Sequence, residues 1–329
     1  ARAQEVAARN AYVGPAPVSL DDYWASVHAQ SLDGVVIHEA DLRRAFAGLI
    51  VDDSLFDQLG PAANSARAMF LFGQPGNGKT AIAETLVRLL GGEIYIPHAI
   101  EVNGEIMRVF DPVHHPLADD QTDGDNDPRW VYAKRPVVSV GGELTLPMLD
   151  LIYNEQSRYY EAPFQMKANN GAFFIDDFGR QQVSPRDLLN RWIVPLEKRI
   201  DFLTLRTGQK IEVPFDTLVL FSTNLDPKEL VDEAFLRRIR YKIEIKSPGP
   251  VQFREIFKRV CAAKRIAYDD AAVDYLLNEK YPAIGAEPRA VQPRDLVEQI
   301  MDYCQYRDIP PALSRELLDI ACANYFVEL

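Results

Sequence analysis

The chain has 329 residues, with 36 Lys and Arg against 48 Asp and Glu for a formal net charge of −12, and three cysteines. The length admits one larger unit with a smaller appendage, and the acidic balance argues against a whole-chain attraction to nucleic-acid phosphates, leaving only a local basic patch open. Cys261, Cys304 and Cys322 suit neither a disulfide framework nor a zinc site and point to a reducing cytoplasm, while no apolar run nears the ~20 residues needed to span a bilayer.

In chain order, Ala1 to Asn10 reads as the end of a charged helix continuing from an upstream domain, because the first residue is not methionine. Gly14, Pro15 and Pro17 then break helix propagation and make Tyr12 to Pro17 a linker. Ser19 with Asp22 is a capping-box-like start for a helix through Trp24 and Val27, and Asp33-Gly34 turns the chain into Val35-Val36-Ile37. Residues 1–36 therefore form an N-terminal helical segment and linker. Two more helices are expected before Pro61 to Ser65.

Ala68 to Phe72 is a short apolar run followed by glycine, as expected of a fully buried parallel strand. Glu93 to Ile96, Ala172 to Asp176, Leu218 to Ser222 and Tyr241 to Ile245 behave alike, and helical patterns separate them. The expectation is an α/β fold, a five-stranded parallel sheet covered on both faces, over residues 37–247. Between the second and third runs lies an insert, about residues 97–170, that contains the Asn-Gly hairpin signal Glu101-Val102-Asn103-Gly104-Glu105. Ser184, Pro185 and Asp187 start a helix well. Two alternating runs around Thr207-Gly208-Gln209 make Ile200 to Val213 a hairpin. Ser-Pro-Gly-Pro at 247–250 marks a boundary, and residues 248–329 read as a small all-α domain with helices over Val251–Arg265, Asp270–Asn278, Pro293–Tyr306 and Ser314–Phe326.

Two motifs carry chemistry. Gly73-Gln74-Pro75-Gly76-Asn77-Gly78-Lys79-Thr80 fits G-x-x-x-x-G-K-[ST] and stands between a buried strand and a helix, the context that this pattern needs. Its backbone N–H groups would cradle the phosphates of ATP, Lys79 would reach the β- and γ-phosphates, and Thr80 would ligate Mg²⁺. Ala172-Phe173-Phe174-Ile175-Asp176-Asp177 is an apolar strand ending in two carboxylates, a Walker B pattern. Asp176 would hold Mg²⁺ through water and Asp177 would polarise the attacking water. A strand of this kind met alone is more often one that simply reaches a solvated turn; following a P-loop it gains meaning.

With Asn224 at the tip of the fourth strand, Arg237-Arg238 after a short helix and Arg294 on a lid helix, the chain from about Ile37 to Leu329 resembles an AAA+ ATPase. The resemblance implies a P-loop αβα sandwich with a helical lid. It also implies sensor 1 at Asn224, an arginine finger at Arg237 or Arg238 with Arg238 slightly favoured, and sensor 2 at Arg294. The plain alternatives are a turn at Asn224 and a solvated basic face at Arg237, Arg238 and Arg240. The family usually has glutamate at the position of Asp177, so hydrolysis is expected to be slow unless geometry compensates. The hairpin over Ile200 to Val213 resembles the pre-sensor-1 insertion shared by MoxR-like ATPases, bacterial enhancer-binding activators and helicase-like AAA+ proteins, and the absence of a G-A-F-T-G-A loop from the insert disfavours the activators. Gly141–Asp150, Ala168–Arg180 and Ser184–Leu203 resemble a bacterial group of chaperone-type ATPases with an upstream winged-helix-like domain.

A finger acting in trans needs a head-to-tail interface, which closes into rings. The expected assembly is a homo-hexamer, or a nucleotide-dependent equilibrium towards one. Three functions stay open: remodelling or assembly of a protein client, a nucleic-acid-linked regulator or motor, and a nucleotide-gated scaffold. Asp123-x-Asp125-x-Asp127 lacks the glycine and glutamate of a calcium loop, and the stretch Asp119 to Asp127 reads as a mobile loop. His114-His115 reads as a loop feature, and Tyr159-Tyr160 as either pore-lining aromatics or a packed pair.

Overall fold

The computed structural model describes residues 10–119, 127–230 and 233–326. Two compact units are present: one contains the chain up to Ala45, Phe56–Phe72 and Ala83–Ile243, the other Phe46–Leu55, Gly73–Ile82 and Glu244–Leu329. Nothing is described for Asp123, Asp125 or the segment Ala1 to Arg9, so the expected mobile loop and charged helix fall largely outside the described residues.

The first unit is built on a five-stranded parallel sheet in the order Tyr241–Glu244, Met69–Phe72, Thr217–Thr223, Gly171–Ile175, Val137–Val140. Gly171–Ile175 and Thr217–Thr223 are buried at every position, which is why both read as unbroken apolar runs. Helix Pro185–Lys198 covers one face. Its Ser184 cap accepts from the Asp187 amide, and its Trp192 is fully buried, edge-on to Phe173 at 5.1 Å. Burial of each such ring stabilises the fold by roughly 1.5–3 kcal/mol.

One strand did not join this sheet as expected. Glu93–Pro97 pairs antiparallel with Trp130–Lys134 in a separate two-stranded sheet. Its alternating burial, with Glu93 and Tyr95 outward, is that of a half-buried strand rather than a central one. The fifth place goes to Val137–Val140, from the insert, in parallel register with Gly171–Ile175. The helix Asp53–Asn64 also continues through Pro61, where the sequence led us to expect a break.

The insert forms a second core. A sheet in the order Val18–Ser19, Ala99–Val102, Glu105–Arg108, Tyr159–Glu161, Ile152–Asn154 surrounds Val18, Tyr23, Val27, Ile100, Met107 and Tyr160. Asn103 and Gly104 take left-handed φ of 54° and 83° at the tip of the hairpin read from Asn-Gly. The hairpin Ile200–Thr204 and Lys210–Pro214 is antiparallel as expected, and its Leu203, Ile211 and Val213 point into this same core. Tyr160 is 1% exposed, which removes it as a pore-lining residue; Tyr159 packs edge-on to Tyr12. His115 lies in a loop, as read from the sequence. It is buried, its Nδ1 accepts from the Asp111 amide at 2.9 Å, and its Nε2 bonds the Lys167 carbonyl at 2.8 Å.

The second unit holds helices Pro250–Lys264, Asp270–Tyr275, Tyr281–Ile284, Gln292–Arg307 and Arg315–Tyr325. A π-turn over Leu276–Lys280 joins the second of these to the third. Their apolar stripes converge on Phe253, Phe257, Leu296 and Ile300. Cys261, Cys304 and Cys322 are free thiols buried in that core, where they act as small apolar side chains. Among the described residues no helix is long and apolar enough to cross a membrane.

Candidate functional site

In a parallel sheet the carboxyl ends of all strands share one edge, where ligands of open α/β folds bind. Thr223 and Phe72 are register partners in this sheet, as are Ile175 and Phe221. Asp176, Asn224 and the first glycine of the phosphate loop are the residues that follow Ile175, Thr223 and Phe72. The edge of this unit thus carries Asp176 and Asn224.

At this edge Asn224 Nδ2 donates to Asp177 Oδ1 at 3.2 Å. Asp177 is exposed and Asp176 half-buried. The Asp177 backbone sits at φ 49°, a left-handed conformation that Asp tolerates better than most side chains. Its amide donates to Asp176 Oδ1 at 3.0 Å. On the far side of the turn, the Phe178 amide donates to the Ser222 carbonyl at 2.6 Å and Thr223 Oγ1 donates to the Phe178 carbonyl at 2.8 Å. These cross-strand bonds fasten the Asp176-Asp177 turn to the strand that ends in Asn224.

The phosphate loop belongs to the second unit. Lys79 is buried, and its Nζ donates to the carbonyls of Gly73 and Gln74 at 2.9 and 3.0 Å, so the ammonium lies inside the concavity of its own loop. Gly76 has φ 82°, and a Cβ there would lie 2.6 Å from Val291 Cγ1. Gly76 O accepts from the Val291 amide at 2.9 Å. Asn77, also buried, donates to Ser247 Oγ at 3.1 Å and accepts from the Ala290 amide at 3.2 Å. Residues 287–291, which make these contacts, are themselves held by Gln292, whose Oε1 accepts from the Arg289 amide and whose Nε2 donates to the Glu287 carbonyl. Thr80 is exposed in the first turn of helix Lys79–Leu89.

Arg294 stands in the first turn of Gln292–Arg307, and its amide donates to the carbonyl of Val291, the residue bonded to the phosphate loop. Its exposed guanidinium bonds Asp295. Of the two finger candidates, Arg238 is engaged within the chain: its Nε donates to Glu197 Oε1 at 2.6 Å. Arg237 is exposed. Sequence reasoning missed three contacts of the candidate residues: the Asn77 anchors, the Glu197 partner of Arg238, and Gln181, which bonds the Asp177 turn. Each joins residues by tertiary geometry or by a turn shape that composition does not announce.

Hard oxygen donors suit Mg²⁺, which is typically bound through one or two protein oxygens together with substrate phosphates. The Thr80 hydroxyl and the Asp176 carboxylate are donors of that kind. No cluster of three or more His, Cys, Asp or Glu side chains of the sort that encloses a metal by itself is found among the described residues.

A profile for DUF8689, a domain of unknown function, matches residues 249–324, the helical part of the second unit. No curated protein matches the chain. Among solved structures the chain is similar to NtrX from Brucella abortus in complex with ATP, at 14% identity over 88% of this chain and 59% of that one, with a TM-score of 0.51. A second NtrX structure gives 16% identity over 88% and 58%, TM-score 0.50. A Thermotoga maritima RuvB Holliday junction branch migration motor gives 16% over 87% and 74%, TM-score 0.48. The chain spans about three fifths of the NtrX length. The NtrX likeness and the five-stranded parallel sheet show the fold: an α/β unit, together with a small all-α domain.

Proposed function

We propose that the chain is a Mg²⁺-dependent ATP hydrolase that works as a subunit of a ring, and that it couples nucleotide turnover to remodelling or assembly of a protein partner in the manner of MoxR-like ATPases. The observation that carries the ATPase reading is the Asn224–Asp177 hydrogen bond at the carboxyl edge of the sheet, beside the strand that runs straight into Gly73. In this reading Gly73, Gln74, Pro75, Gly76, Asn77 and Gly78 wrap the phosphates with backbone N–H groups, and Lys79 turns its ammonium from the loop carbonyls to the β- and γ-phosphates. Thr80 and Asp176 would hold Mg²⁺, which would supply charge neutralisation at the phosphates. Asp177 accepts a hydrogen bond from the attacking water, and Asn224 keeps that carboxylate aimed. Arg294 reads the γ-phosphate from the lid.

The trans finger is assigned to Arg237. It is exposed, whereas Arg238 is held by Glu197 inside its own subunit. A cation lent to a neighbour acts best when it does not first have to break an internal ion pair. The acidic balance of the chain favours a protein client over nucleic acid.

Steady-state ATPase assays with sizing in each nucleotide state test this reading. Lys79→Ala and Asp177→Asn should each lose at least ~100-fold in turnover, as expected when phosphoryl-transfer groups are removed. Arg237→Ala should be inactive alone, and mixing it with Lys79→Ala should restore activity at the interfaces that combine an intact loop with an intact finger. No recovery at any mixing ratio would remove the ring reading. ATP binding without turnover would favour the gated scaffold.

A further inference from the structure

We infer that Gln181 is a positioning residue that locks Asp177 into its left-handed turn, so that aspartate rather than glutamate is the side chain matched to this site. The inference rests on the ATPase reading above. Gln181 Nε2 donates both to the Asp176 carbonyl at 2.9 Å and to the Asp177 carbonyl at 3.2 Å, and its Oε1 accepts from the Gly179 amide at 2.8 Å. The Asp176 carbonyl belongs to the peptide plane before the Asp177 Cα, and the Asp177 carbonyl to the plane after it. One amide group thus grips both planes. Rotation about φ or ψ of Asp177 would swing one carbonyl away from Nε2, so the φ of 49° is held by a bond on each side of the Cα.

Two further contacts complete the arrangement. The Arg180 amide donates to the Asp177 carbonyl at 3.0 Å, so the turn also closes through its own backbone. Asn224 holds the carboxylate at 3.2 Å. Gln181 therefore fixes the direction of the Cα–Cβ bond, and Asn224 fixes the rotation at its far end. Left-handed backbone re-aims the side chain relative to an ordinary residue after a strand, and Asp populates that region more readily than Glu. A glutamate here would meet the strain of the turn and extend the carboxylate one methylene past the point where Asn224 holds it. The short acid is then no defect: the backbone, and not chain length, brings the carboxylate to its place.

The decisive measurements combine amide hydrogen exchange on the ATP-free protein with steady-state kinetics. In Gln181→Ala the Gly179 amide should exchange at least ~10-fold faster, while amides of the neighbouring strand Thr217–Thr223 keep their protection. In the same variant kcat should fall about 10- to 30-fold with KM and nucleotide affinity within about threefold, the split expected of a group that acts on the reacting arrangement and not on binding. Gln181→Glu keeps the acceptor for Gly179 but sets a carboxylate against two carbonyl oxygens, so it should be at least as slow as Gln181→Ala. Adding Gln181→Ala to Asp177→Asn should slow the enzyme no further, because the clamp acts through the carboxylate already removed. Asp177→Glu should be about 10-fold slower than the unmodified protein. Unchanged Gly179 exchange in Gln181→Ala, a faster Asp177→Glu enzyme, or full additivity with Asp177→Asn would each overturn the inference. If the unmodified protein shows no turnover, the ATPase reading fails with the positioning role, and the exchange result still decides whether the clamp exists.

Discussion

The phosphate loop and the Asp177 turn are both built from a handful of residues after a strand, yet they are held in opposite ways. Asn77 reaches partners 170 and 213 positions away, and Gly76 meets Val291. The Asp177 turn is held from within five positions by Gln181, and by the neighbouring strand through Ser222, Thr223 and Asn224, none of them from the C-terminal helices. The loop's shape therefore depends on residues from the far end of the chain, whereas the turn would keep much of its geometry if those residues were disturbed.

The sharpest way to break this contrast is at Gly76. Gly76→Ala would place a methyl 2.6 Å from Val291 Cγ1 on a backbone at φ 82°, and we expect nucleotide affinity to fall by ~100-fold or more, about 3 kcal/mol. Titration of a fluorescent ATP analogue reads this. Adding Val291→Ala should recover only the steric part, since the left-handed strain stays. If Gly76→Ala binds normally, the loop is less tied to residues 290–291 than its contacts indicate.

Acid separates the two units next. Burial pushes His115 down to about 4, against the opposing pull of the Lys167 carbonyl bond and the Asp111 charge. Asp111 is held well below the carboxylate range: burial alone would raise it, but hydrogen bonds from Lys167, the Val113 amide and His114 outweigh that. A neutral buried His stabilises fully above its unfolded pKa of ~6.5, and that stabilisation drains away as pH falls towards 4. The Asp111 contribution is present above ~4 and is lost only below it. Both groups lie in the first unit. Urea unfolding should show about 2 kcal/mol less stability at pH 5 than at pH 7.5, with exchange protection lost first around residues 94–116 and 160–170. His115→Leu should flatten this dependence. A pH-independent profile in the unmodified protein would show that the imidazole is not held neutral.

Asn77→Ala tests the long-range anchors with less strain. Losing the bonds to Ser247 and Ala290 should weaken ATP binding by about tenfold, ~1.4 kcal/mol, and raise hydrogen exchange over residues 287–292, while the Gly179 amide stays protected. Deprotection at both places would mean that the two elements are held as one. The smallest effect belongs to Arg238. Its ion pair with Glu197 is partly exposed, so Arg238→Ala should cost less than ~1 kcal/mol in thermal or urea stability. Turnover should stay within about twofold, in contrast to Arg237→Ala. An inactive Arg238→Ala enzyme with full stability would return the finger role to Arg238.

Several features of this protein were decided by the sequence alone, because their causes lie within a few residues. Gly73 to Thr80, Asp176-Asp177, the Ser19 and Ser184 caps, the Asn103-Gly104 turn and the unbroken apolar runs at 171–175 and 217–223 each needed only local chemistry to be legible. Tertiary structure alone decided which strands became neighbours and which side chains found partners. Glu93–Pro97 and Val137–Val140 are both short and apolar enough to be strands, and no local rule says that the first pairs antiparallel outside the main sheet while the second becomes its edge. Tyr160 was buried, Arg238 given to Glu197, and Asn77 tied to Ser247 and Ala290 by segments that composition cannot bring together. Strand pairing and ion pairing depend on chain closure over tens to hundreds of residues, and that choice is made by the whole core at once.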